Sequence, residues 1–225
     1  MNFIVLTFEE LKKVIYIFLG IGLVCILVLN LPFLLEKHHL STTQMISTSV
    51  TISFFILSIL LTSIIFKNKF LSKIIGKPIV HGLWKGELQS NYQIDGKKID
   101  PIEIYFYIKQ TFLFTTIKSF TSNQKSESVI TALSYDPTIE KIKFIYTYTL
   151  HRTKNSENKM TFGSGDLSLI NNGNKLIGIY WTNENTRGEI ELKLIDRDCD
   201  SIDSFEMACS HYMFCSSENN EKSKI

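Results

Sequence analysis

Hydrophobic positions follow two regimes along the chain. Val14–Leu35 (VIYIFLGIGLVCILVLNLPFLL) and Ile46–Phe66 (ISTSVTISFFILSILLTSIIF) are continuous apolar runs without a charged residue. Each is about long enough to cross ~30 Å of hydrocarbon as an α-helix. From His81 onward the pattern becomes a period-two alternation interrupted by turn residues, the mark of half-buried strands. Eight strands are predicted: His81–Ser90, Ile102–Gln110, Phe112–Thr121, Ser126–Tyr135, Ile139–Leu150, Met160–Ile170, Lys175–Thr182 and Gly188–Ile195. In the fifth, Ile142, Phe144, Tyr146, Tyr148 and Leu150 share one face against Lys141, Lys143, Thr147 and Thr149. The seventh is ambiguous. Leu176, Gly178, Tyr180 and Thr182 share one face, but Ile177, Ile179 and Trp181 opposite them are equally apolar.

Asp95-Gly96, Asp136-Pro137 and Asn172-Gly173 supply turn signals, whereas none separates the second strand from the third. Consecutive short strands without intervening helices predict an up-and-down antiparallel barrel, which leaves no open edge. A two-sheet sandwich is the alternative. Trp84, flanked by Gly82 and Gly86, is expected across the barrel floor. The chain then divides into an N-terminus (1–13), helix one (14–35), a short loop (36–45), helix two (46–66), a basic linker (67–80), the barrel (81–196) and a C-terminal segment (197–225). In that segment SFEMACSHYMF is expected as a short helix closing the barrel, and SSENNEKSKI as mobile.

Charge refines the membrane reading. Lys12 and Lys13 precede helix one and Lys67, Lys69, Lys73 and Lys77 follow helix two, while the connection carries Lys37 offset by Glu36. The positive-inside rule puts both ends, and hence the barrel, in the cytoplasm. Glu9 and Glu10 stand where a signal peptide would be basic, and no small-x-small site follows Pro32, so both helices are expected in the mature chain. Lys67–Ile195 holds 18 basic and 12 acidic residues, and Asp196–Ile225 holds 3 and 7. A basic body suits an anionic ligand or the inner membrane surface. The cysteines, at positions 25, 199, 209 and 215, do not form a disulfide framework. Cys199, Cys209, His211 and Cys215 match no standard zinc spacing, so no metal is expected. No catalytic constellation or cofactor motif stands out, and a nonenzymatic protein is expected.

The Gly82-x-Trp84-x-Gly86 opener, Ile108-Lys-Gln110, Tyr146-x-Tyr148 and Gly178-Ile-Tyr180-Trp-Thr182-Asn183…Thr186-Arg187-Gly188 stand in this order behind two apolar helices. In that arrangement the chain resembles the bacterial antiphage effectors of the SMODS-associated, two-transmembrane, β-strand-rich family. The resemblance implies a lipocalin-like barrel that binds a cyclic dinucleotide or related cyclic oligonucleotide made by a partner nucleotidyltransferase. It further implies homo-oligomerisation on binding and disruption of the inner membrane by the helices, within cyclic-oligonucleotide-based antiphage signalling (CBASS). The expected partners are thus a small messenger and membrane lipid, not a DNA or RNA polymer. One departure is Glu184, where the family pattern predicts a basic residue; Arg187 is the nearest cation.

Such a messenger needs stacking faces for two bases, hydrogen-bond donors, and a cation or backbone amide for its phosphates. Tyr146 and Tyr148 are the stacking candidates, with Trp84, Gln110, Tyr180, Thr182 and Arg187 completing the candidate set. Core packing suits the two tyrosines equally, and a turn role suits Gln110. Strict alternation from Ile190 turns Arg187 outward. His151 and Arg152 are weaker rim candidates. The hydroxyls of helix two, Ser47 to Ser63, either bond between subunits or bond their own helix. Two competing functions remain: a tethered carrier of a lipid or other apolar molecule, and a structural membrane subunit with a filled barrel.

Overall fold

The structure, a computed structural model, describes residues 4–34, 41–62, 77–136, 141–152 and 161–222. It resolves into two compact units, a helical pair and a β-rich body.

The helical unit comprises α1 (Phe8–Leu34) and α2 (Thr42–Thr62). Both begin at capping boxes, in which a hydroxyl and a side-chain acceptor three residues on satisfy each other's backbone N–H. Thr7 and Glu10 do this for α1, Ser41 and Gln44 for α2. Each helix therefore starts several residues before its apolar run, at Phe8 rather than Val14 and at Thr42 rather than Ile46. The pair packs through small residues. Ser49 and Ser53 are buried on α2, and Ser49 Oγ donates to Gly22 O of α1 at 2.8 Å. The hydroxyls of Thr51, Ser53, Ser58 and Thr62 instead donate to carbonyls of α2 itself. Outside this seam large apolar side chains are exposed, Phe8, Tyr16, Phe54 and Phe55 by about two-thirds or more. Both helices are long and apolar enough to cross a membrane. The connection and the basic Lys67, Lys69 and Lys73 lie outside the described residues.

The β unit is a closed antiparallel barrel. Its eight strands are β1 (Gly82–Ser90), β4 (Ile102–Gln110), β5 (Thr115–Phe120), β6 (Gln124–Asp136), β7 (Lys141–Arg152), β8 (Thr161–Ile170), β9 (Lys175–Thr182) and β10 (Arg187–Asp196). Each pairs with its neighbour in sequence, and β1 closes the barrel between β10 and β4. Between β1 and β4 a small hairpin, β2 (Gln93–Ile94) and β3 (Lys97–Lys98), turns at Asp95-Gly96, both with positive φ. The third strand begins at Thr115 rather than Phe112. In β6 an extra residue, Val129, makes a bulge between Ser128 and Ile130. Ser126 and Ser128 before the bulge pair with Leu150 and Tyr148, and Thr131 and Leu133 after it with Tyr146 and Phe144. The bulge thus changes which parity of β6 faces in.

The interior is apolar at one end. Trp84, Ile108, Ile117, Phe144, Leu167, Leu176 and Leu192 are buried there in one cluster. On β9, Leu176 and Tyr180 are buried while Ile179 and Trp181 are exposed, which settles the facing of that strand. The C-terminal segment departs from expectation. Rather than capping an end as a short helix, α3 (Phe205–Lys222) lies along the barrel's outer wall. Its Phe205, Ala208, Cys209 and Tyr212 recur at helical spacing and cover outward-facing Leu83, Tyr105, Tyr107 and Phe120. The segment expected to be mobile continues this helix to Lys222.

Candidate functional site

A cavity of about 830 Å³ opens at the barrel end where β1, β5, β7 and β9 finish. That size lies within the range of small-molecule sites. Its apolar base is formed by Ile104, Phe106 and Ile190, and its walls carry Ser90, Ser119, Ser126, Thr161 and Thr182. Thr121, Asn123, Glu184 and Thr186 line it as well. The hydroxyls are already ordered by one another: Ser119 with Ser126 at 2.6 Å, and Thr182 with Thr186 at 2.5 Å. Thr161 donates to Glu184 at 2.8 Å, and the Glu184 backbone N–H donates to Thr182. Such a wall offers many donors and acceptors in fixed places around an apolar base.

Three tyrosines enter this space. Tyr146 and Tyr148 stack with centroids 5.6 Å apart and planes 30° from parallel, and Phe106 meets Tyr146 edge-on at 5.8 Å. Tyr180 lines the same cavity, beside Ser90, which hydrogen-bonds its hydroxyl. Burial pushes all three phenols above their ordinary pKa; the neighbouring phenols add to this for Tyr146 and Tyr148, whereas the Ser90 hydrogen bond opposes it at Tyr180. All three stay neutral O–H donors at physiological pH. Their seats are provided by β8. Gly163 and Gly165 pair with Tyr148 and Tyr146, and a Cβ there would fall 2.3 Å and 2.4 Å from the respective rings. Only glycine lets both rings lie against this strand.

Of the residues singled out in the sequence, Tyr146, Tyr148, Tyr180 and Thr182 converge on the cavity. Trp84 and Gln110 do not. They lie at the closed end and hold the chain where it enters the barrel. Gln110 Oε1 accepts from the N–H groups of Val80 and His81, its Nε2 donates to Pro78 O, and Trp84 Nε1 donates to Val80 O. Arg197, not foreseen, completes the clamp by donating to the carbonyls of Ile79, His81 and Gly173. Arg187 is exposed on the outer wall, as alternation required, in a hollow with Trp181 and Glu189. The side chains of His151 and Arg152 lie outside the described residues. The serines of β5 and β6 and the two glycines of β8 escaped the sequence reading. The repeat of small residues in Gly163-Ser-Gly165, facing two tyrosines, was the available signal.

A larger hollow, about 1200 Å³, lies on the outer wall beside α3. It carries Glu87, Glu103, Glu189 and Glu191 against Lys85, Lys175 and Lys193, with Lys175 and Lys85 already bound to Glu191 and Glu103. That surface suits a polyanion poorly.

Residues 76–194 match the family described as Cap15, cyclic dinucleotide receptor domain. The match runs from just before β1 into β10. The chain belongs to the Cap15 receptor-domain family. A relative, the CD-NTase-associated protein 15 of Staphylococcus schleiferi, is 33% identical over 151 residues, which cover 67% of this chain and 79% of that protein. The Cap15 span contains every described residue of the cavity up to Ile190, together with Gly163, Gly165 and Glu184. Phe205, which also borders the cavity, together with Arg197 and the rest of α3, lies beyond it.

Proposed function

We propose that the chain is a membrane effector of CBASS whose barrel binds a cyclic dinucleotide in the open-end cavity. The observation that carries this is a pocket lined by tyrosines and hydroxyls in an otherwise filled barrel, inside the span of a cyclic dinucleotide receptor family. The bases stack on Tyr146, Tyr148 and Tyr180, and the phosphates accept from phenol and Ser/Thr O–H groups. Glu184 accepts from base N–H groups, which gives the departure from the expected cation a role in nucleotide choice. Binding shifts the chain toward an oligomer, and α1 and α2, spanning the inner membrane with the barrel in the cytoplasm, then breach the bilayer. The chain acts by binding, without catalysis. The polar walls argue against an apolar cargo, which would gain nothing from the donors and acceptors that Ser119, Ser126, Thr161, Thr182 and Glu184 present.

The test is thermal unfolding of the full chain in detergent against a panel of cyclic di- and trinucleotides. A saturating nucleotide should stabilise the barrel, by about 2.7 kcal/mol at a hundredfold excess over Kd. At the same nucleotide concentration the shift should shrink in Tyr148→Leu by the worth of the lost stacking. Stabilisation by a fatty acid or retinoid alone would reassign the protein as a carrier. Messenger-dependent size by light scattering, and dye release from liposomes, test assembly and membrane breach separately.

A further inference from the structure

A second group of reactive side chains lies outside the cavity and beyond the residues matched to the family. His211 and Cys215 stand four residues apart on α3 and so project from one face of it. Asp196, the last residue of β10, meets them. Asp196 Oδ2 lies 2.9 Å from His211 Nε2 and 4.0 Å from Cys215 Sγ, and the three donor atoms all fall within 4.8 Å of one another. Ligands bound to one tetrahedral zinc are separated by about 3.5 Å, so small side-chain rotations would seat an ion between them.

The surroundings favour this. Asp196 Oδ1 accepts from the Asp198 N–H at 2.9 Å, which orients the carboxylate with Oδ2 toward the helix. Burial raises the carboxyl's pKa, but hydrogen bonds from the Asp198 backbone and from His211 outweigh it and hold the group below the ordinary carboxylate range. Cys215 is not in a disulfide and lines the outer hollow, which gives an ion and a fourth, water ligand a way in. One oxygen, one imidazole nitrogen and one thiolate is a borderline-soft set that selects zinc over calcium or magnesium. We propose that Asp196, His211 and Cys215 form a three-ligand zinc site that fastens α3 to the end of β10. The ion would act as a staple of the helix to the wall, added to the apolar packing of Phe205, Ala208 and Tyr212.

The test is zinc titration of the full, chelator-stripped chain in detergent against a competing indicator, with cobalt as a spectroscopic substitute. One zinc per chain is expected, with a thiolate-to-cobalt charge-transfer band in the near ultraviolet. Cys215→Ser should abolish the band. His211→Ala and Asp196→Asn should each weaken zinc by more than about tenfold, with circular dichroism confirming that each variant is folded. Cys209→Ser should leave both readouts unchanged, since Cys209 packs with Leu83 and Tyr105 instead. No saturable zinc, or zinc that survives these three substitutions, as binding to His38-His39 would, overturns the site. So does equal loss in Cys209→Ser.

Discussion

On β8, Gly163 and Gly165 face the rings of Tyr148 and Tyr146, and the cavity takes its shape from this pairing as much as from the tyrosines. Alanine at Gly165 would place its Cβ 2.4 Å from the Tyr146 ring, so the ring must move into the space a ligand would use. Gly165→Ala should lower messenger affinity by at least about tenfold while costing about 1–3 kcal/mol of stability, read by calorimetry and by chemical denaturation on one preparation. The tyrosines themselves separate two contributions. Tyr148→Phe keeps the stacking face and removes one donor, whereas Tyr148→Leu removes both. The leucine variant should lose about 1–3 kcal/mol of binding, the worth of one stacked base, and the phenylalanine variant less than half of that. Equal losses would assign the residue to hydrogen bonding alone. Gln110 behaves oppositely. Its amide serves three backbone groups of Pro78, Val80 and His81 at the closed end. Gln110→Ala should therefore cost about 1–3 kcal/mol per donor left buried without a partner, with the nucleotide affinity of the folded fraction unchanged. A fall in affinity matching that of Tyr148→Leu would return Gln110 to the ligand.

At the scale of elements, α3 is held by apolar packing and by charge. Ile202 is buried with Leu83, Tyr105 and Phe120, so Ile202→Ala should destabilise the barrel by about 2–5 kcal/mol. Lys85 sits between the rings of Tyr105 and Tyr212, 3.8 Å from the Tyr212 centroid, and adds a cation–π contact to the same seam. Asp196 adds a pH-dependent tie through His211. Its native pKa is depressed, so its stabilisation is complete above the unfolded carboxylate value and is lost as pH falls through the lower native one. Urea-unfolding stabilities of wild type and Asp196→Asn should thus differ at neutral pH and converge in acid; a constant gap would remove the carboxylate's charge from the account. These elements differ in how far the chain announces them. The barrel strands were legible because one face of most is apolar and the other polar, and closure follows from their number and short connections. Facing stayed open on β9, where the outward Ile179 and Trp181 are as apolar as the inward Leu176 and Tyr180. The β6 bulge leaves no local mark, since it depends on the register against β7. Both capping boxes are written in the sequence, as Thr7-x-x-Glu10 and Ser41-x-x-Gln44, but they stand several residues ahead of the apolar runs that mark the helices. The place of α3 was not legible, because its partner surface is assembled from outward residues of several strands.

At the scale of the whole barrel, the two ends are built differently. The open end carries the tyrosines and hydroxyls, and the closed end receives the chain through Pro78–His81, gripped by Gln110, Trp84 and Arg197. Between them runs a continuous aromatic and aliphatic core in which Phe106 touches Tyr146 edge-on and also pairs across the strands with Trp84. Close-packed cores have low compressibility and transmit strain, and the clamp's hydrogen bonds lie where this core meets the closed end. Messenger binding should therefore change hydrogen exchange at the Val80 and His81 amides as well as around the cavity. In Arg197→Met, which removes the donors to Ile79, His81 and Gly173 but keeps a side chain to pack against Trp84, those amides should exchange faster in the free protein. Nucleotide affinity should stay within about threefold, a change of under about 1 kcal/mol, while messenger-dependent liposome leakage falls. Protection confined to the cavity in the wild type would mean that the closed end does not sense the ligand. The signal would then have to leave the barrel from its open end, through contacts between neighbouring chains.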